Sequence, residues 1–134
     1  MTEIVDKKSL LAIERIMTIC NELHILTTGK DAEYFYDRLE MNILIDLVLE
    51  VDSCVREVSD SLKKKYLEVD WNIVDKARYV DEVFGYSMKV SKAWELASCL
   101  DTVFLNKLQD ILEKELESYY HEICLRRQEE LRNE

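Results

Sequence analysis

The sequence predicts an all-α fold, an antiparallel up-and-down bundle of about four helices that dimerises. Three observations lead there. No proline and only two glycines occur in 134 residues, so few residues that end a helix are present. Apolar residues recur at spacings of three and four, the period of one helical face. Both glycines, Gly29 and Gly85, fall between those periodic stretches, and short links between consecutive helices favour antiparallel neighbours.

The first helix follows Asp6, a residue suited to accept hydrogen bonds from the free amides of a helix start. Its apolar stripe is Leu10, Leu11, Ile13, Ile16, Met17, Cys20, Leu23 and Leu26, and Gly29 is placed to close it in the left-handed conformation. Asp31 caps a second helix, expected to run unbroken over about residues 32–66. One stripe of that helix reads Met41, Leu44, Val48, Val51, Val55, Val58, Leu62, and another face carries Ile43, Leu47 and Cys54. A helix on one small core needs a single stripe. The second face therefore predicts cover by another copy of the chain, a homodimer. Asp70 caps a short third helix with Trp71, Val74, Ala77 and Val80 facing inward, ended by Gly85. Ser87 opens a last helix in which Val90, Trp94, Ala97, Leu100, Phe104, Leu108, Ile111, Leu112, Leu116 and Tyr119 keep the rhythm towards Ile123. The charged tail, about residues 126–134, is expected to fray.

Length and composition bound the rest. The chain fits one domain, residues 1–134, and hydrophobic residues at 48% with charged residues at 34% give a globular balance that excludes a disordered chain. Cys20, Cys54, Cys99 and Cys124 form no C-x-x-C pair and read as small buried hydrophobes. No signal peptide pattern opens the sequence and no apolar run spans a membrane, so the expectation is a cytoplasmic protein without a membrane contact. A formal net charge of −10 excludes broad, non-specific nucleic-acid binding. Residues 63–92 depart from that acidity, holding more Lys and Arg than Asp and Glu.

Few residues carry recognisable chemistry. Asp46 and Glu50 form an acidic i, i+4 pair, but no histidine stands at metal-ligand spacing, so neither metal nor cofactor is expected. His24 and His121 read as structural. No glycine-rich phosphate loop or nucleophile elbow is present. Arg78 stands out within the less acidic stretch, with Asp81 and Glu82 at i+3 and i+4, where a helix would let them pair with it.

The stretch VREVSDSLKKKYLEVDWNIV, followed by Arg78 and Trp94, resembles the HepT-like group of the HEPN superfamily, as does SLLAIERIMTICNEL at the start. Ser59, Asp60, Leu62, Tyr66, Glu68 and Trp71 match a pattern commonly reading S-D-x-L…Y-P-E-I-P-W in that group, with Leu67 and Asp70 in place of its prolines. The similarity covers about residues 9–116. Arg78 stands where the family carries the arginine of its R-x-x-x-x-H motif, and Trp94 matches a tryptophan sixteen residues on. The histidine position holds Val83. A tyrosine position two residues further holds Gly85, with Tyr86 adjacent, and Tyr79 replaces an asparagine.

What the resemblance implies is a toxin–antitoxin protein whose active relatives are metal-independent ribonucleases. In those relatives a 2′-hydroxyl attacks the neighbouring phosphate, histidine moves the proton and arginine holds the phosphoryl oxygens, in a cleft between two protomers. Imidazole titrates near neutrality and guanidinium presents a fixed fork of donors; valine does neither. The expected function is a binding module that has lost its catalytic histidine and pairs with a minimal nucleotidyltransferase, with Arg78, Tyr79 and Tyr86 as its contact residues. Two alternatives stand beside it: a ribonuclease that keeps activity on RNA through Arg78, and a purely structural helical dimer.

Overall fold

The first helix begins where the sequence places it. Asp6 Oδ1 accepts the Ser9 N–H at 3.0 Å and starts α1 (Lys7–Thr27). The helix closes on Thr28, whose N–H donates to the His24 carbonyl at 3.0 Å. Gly29 follows at φ +74°, a left-handed conformation that costs glycine little and other residues about 1–2 kcal/mol. The computed structural model describes residues 6–36, 38–73, 80–81, 85–86 and 90–132.

Among these residues the architecture is helical except for one short pairing. After α1 come a 3-10 turn (Ala32–Phe35), α2 (Glu40–Glu57), α3 (Asp60–Lys65), the two-residue strands β1 (Val80–Asp81) and β2 (Gly85–Tyr86), α4 (Val90–Cys99) and α5 (Thr102–Arg132). The α1 helix packs against α2, α4 and α5, and α2 also packs against α4. Ile13, Ile16, Cys20 and Leu23 of α1 are completely buried, as are Leu44, Val48 and Val51 of α2, Ala93 of α4, and Leu108 and Ile111 of α5.

The stripes predicted for the core hold in the main, although Leu116 of the last one is exposed, and the helices that carry them are more divided. The expected second helix is three elements. Asp31 does cap, accepting the Tyr34 N–H at 3.0 Å, yet it opens only the 3-10 turn. The next break falls at Val58–Ser59. Val58 N–H reaches back three residues to the Val55 carbonyl, and Ser59 N–H donates instead to Ser9 Oγ of α1 at 2.8 Å. Ser59 Oγ then accepts the Leu62 N–H at 3.2 Å and starts α3. Because Val55, Val58 and Leu62 are all buried, the apolar rhythm passes through the break without a gap.

The last helix is likewise two. Asp101 Oδ1 accepts the Phe104 N–H at 3.1 Å and starts α5, while His24 Nε2 donates to the Leu100 carbonyl at 2.8 Å, satisfying an oxygen left free past the end of α4. The tail expected to fray continues α5 as helix through Arg132. The helix expected after Asp70 does not include Val80, which lies in β1 opposite Tyr86, with Asp81 opposite Gly85. Gly85 thus sits in a short antiparallel pairing and not at a plain helix end. Two cysteines also depart from expectation: Cys20 and Cys54 are buried, but Cys99 and Cys124 are exposed. Leu11, placed on the buried stripe of the first helix, is 66% exposed, and Ile19 is buried in its stead.

Ser9 ties the start of α1 to the α2–α3 break. Fully buried, its hydroxyl donates to Asp6 Oδ2 at 2.5 Å and accepts from Ser59 N–H. Hydrogen bonding from the Ser59 and Ser9 side chains holds the Asp6 carboxyl below the usual range. Ser9→Ala leaves the Ser59 amide without its acceptor, and a buried unsatisfied donor costs roughly 1–3 kcal/mol. Urea unfolding is expected to show a loss of that size with an unchanged m-value; an unaltered midpoint would mean that this junction contributes no stability.

Candidate functional site

The stretch that carries the predicted site is held at both ends by the core. On its entry side Tyr66 and Val69 are buried. The Tyr66 hydroxyl donates to Glu115 Oε1 at 3.0 Å, and Lys65 Nζ meets the same oxygen at 2.9 Å. Trp71 Nε1 donates to the Tyr66 carbonyl at 3.0 Å, and Lys107 Nζ of α5 donates to the Glu68 carbonyl at 3.0 Å. The bonds to Glu115 and from Lys107 fasten residues 65–68 to α5, and Trp71 is tied to that stretch through Tyr66. Asp70 accepts the Asn72 N–H on Oδ1 at 3.1 Å, and its carbonyl accepts the Ile73 N–H at 3.2 Å, so the chain turns there.

On the exit side, Ala93 of α4 is fully buried. Trp94 beside it is partly buried, with a buried indole Nε1 that has no hydrogen-bond partner among the described residues. Two tryptophans therefore bracket the segment, Trp71 at its entry and Trp94 at its exit. Both pack against the core cluster.

Between these anchors, Arg78, Tyr79 and Val83 lie outside the described residues. The Tyr86 backbone is paired with Val80 in the β1–β2 ladder, and its side chain also falls outside what is described. Since Asp81 is in extended backbone, the helical geometry expected to join Arg78 to Asp81 does not continue through Val80 and Asp81.

The acidic pair of α2 is not a unit. Glu50 forms an ion pair with Arg15 of α1, which raises the guanidinium pKa, whereas Asp46 is exposed. Among the described residues no group of three or more His, Cys, Asp or Glu is placed to hold a metal ion, and no helix is long and apolar enough to cross a membrane. A carboxylate that the sequence reading passed over is Asp52. It is 3% exposed and accepts from Arg56 Nε at 3.2 Å, one turn along α2. The signal was present in the sequence, because Asp52 lies four residues after Val48 and three before Val55, on the buried side of the helix.

No protein-family model matches this chain, and no curated protein or solved structure matches it.

Tyr66 gives this region a measurable titration. Burial and, after it, the hydrogen bond to Glu115 push its phenol up to about 12 from an ordinary value of 10.0. A pKa raised in the folded state contributes stability that is complete below the unfolded value and is lost as pH rises through the folded one. Denaturant unfolding is therefore expected to show a fall in stability between about pH 10 and 12 that is smaller in Tyr66→Phe. An identical alkaline fall in both proteins would assign the titration to other groups.

Proposed function

We propose that this protein is a catalytically silent relative of the HepT-like HEPN ribonucleases and works as a binding module. The observation that carries the reading is in the sequence: Arg78 stands at the motif's arginine position with Val83 where the proton-carrying histidine belongs. An arginine without that partner can hold a phosphate or a carboxylate but cannot complete a proton transfer at neutral pH. The mainly helical fold of the described residues, the buried Tyr66 and the partly buried Trp71, two of the matched positions, are compatible with this reading.

In this account the chain is an antiparallel up-and-down bundle that forms a homodimer and presents the surface around Arg78, Tyr79 and Tyr86 to a minimal nucleotidyltransferase. Part of the outer face of α2 supports the homodimer, although Cys54, expected on that face, is buried in the core. Ile43 is 51% exposed and Leu39, at the start of the helix, 87%; Leu47, four residues beyond Ile43, is partly buried. Removing such side chains from water is worth about 25 cal/mol per Å². That same face is the one observation that favours the simpler reading, a structural dimer without an enzyme partner.

Incubation of the purified protein with RNA in EDTA, beside Arg78→Ala and Val83→His, tests the proposal. Cleavage by Val83→His alone is the expected result, with a gain of at least about tenfold over the natural protein, since a positioned general acid–base contributes about 10²–10⁴-fold. Cleavage by the natural protein that Arg78→Ala abolishes would overturn the silent reading and establish a ribonuclease with another proton carrier.

A further inference from the structure

We infer that the outer part of α5 is a self-association surface on which two copies of the chain pair antiparallel about Tyr120. This surface is separate from the α2 face and does not depend on the reading of Arg78.

The helix outruns the body that supports it. Among the described residues Ile111 is the last fully buried one of α5 and Tyr119 the last partly buried one, and the helix continues to Arg132, a further length of about 20 Å at 1.5 Å per residue. A helix that makes so little tertiary contact is marginal in water, and packing of an apolar face ordinarily stabilises one.

This overhang carries such a face. Glu113, Leu116, Tyr120, Cys124, Arg127 and Leu131 follow at spacings of three, four, four, three and four, and all are exposed, Leu116 at 38%, Tyr120 at 61% and Leu131 at 70%. The run continues into an apolar groove between α1 and α5, lined by Leu10 and Leu11 on one side and Leu112, Leu116 and Tyr119 on the other. Apolar residues repeating every three or four positions on an exposed helix form the seam of a helix pair.

The charges in the seam select the occupant and its direction. Glu113 and Arg127 each stand seven residues from Tyr120, two helical turns away on the same face. In an antiparallel pair centred on Tyr120, Glu113 of each copy faces Arg127 of the other, so the favourable contact is made twice. In a parallel pair Glu113 faces Glu113 and Arg127 faces Arg127, which repels. The antiparallel arrangement also sets Leu116 opposite Cys124 of the other copy and Leu131 opposite Gln109, one turn before the groove residue Leu112. A second copy thus supplies both the apolar surface and the complementary charges.

Sedimentation equilibrium on the full chain, compared with Glu113→Arg, Arg127→Glu and the double reversal, decides the matter. Either single reversal is expected to halve the mass at concentrations where the natural protein associates, weakening the contact tenfold or more, and the double reversal restores it. Ile43→Asp reads the α2 face separately. An equal mass for the natural protein and Glu113→Arg, or a double reversal that restores nothing, would overturn the inference. Direction is read by disulfide formation in a Cys99→Ser background. Leu116→Cys should link two chains through Cys124, whereas ready linkage through Cys124 without that substitution would indicate a parallel pair and contradict the antiparallel one.

Discussion

Everything in this fold leans on α1. Three helices, α2, α4 and α5, pack against it, and Ile13, Ile16, Cys20 and Leu23 are shut off from water completely. Burying each large aliphatic side chain is worth about 1.5–3 kcal/mol, and here one helix supplies apolar surface to all three neighbours. Its polar contacts work in the same direction. Arg15 reaches Glu50 of α2, His24 holds the Leu100 carbonyl where α4 gives way to α5, and Ser9 binds the amide that ends α2. Burial makes Cys20 inert as well, pushing its thiol up to about 12, so the residue serves packing and not thiol chemistry.

The core leaves the outer side of α2 and the far half of α5 partly bare, and it clamps the segment between Trp71 and Trp94 at both ends. A site carried by such a segment is positioned by a scaffold that need not share in its chemistry. The reading of Arg78 as a binding residue without a proton carrier draws on the sequence, and the fold supplies the frame that would hold it.

The sequence made the core legible because buried positions obey helical spacing whatever the chain does between them. Leu44, Val48, Val51, Val55, Val58 and Leu62 were all found on the buried stripe. The division of the helices was harder to see, and for the same reason: the stripe stays in phase across Val58–Ser59 and across Leu100–Asp101. The local signals were Ser59–Asp60 and Asp101–Thr102, typical of helix starts, and the uninterrupted apolar rhythm outweighed them. Breaking the helix at Ser59 also depends on Ser9, fifty residues away, a partner no local pattern reveals. The β1–β2 pairing escaped because two-residue strands leave no alternation to read. The buried carboxylate of Asp52 was missed because charged residues are ordinarily assigned to the solvent side.

Native-state hydrogen exchange tests the dependence on α1 most directly. If the helices hang on α1, the amides of Ile13 to Leu23 exchange only through global unfolding, with the same denaturant dependence as the whole protein and at least as slowly as any in α2, α4 or α5. Exchange of α1 through a smaller opening, while α2 and α4 remain protected, would contradict the account and make α1 a peripheral addition to a core formed without it.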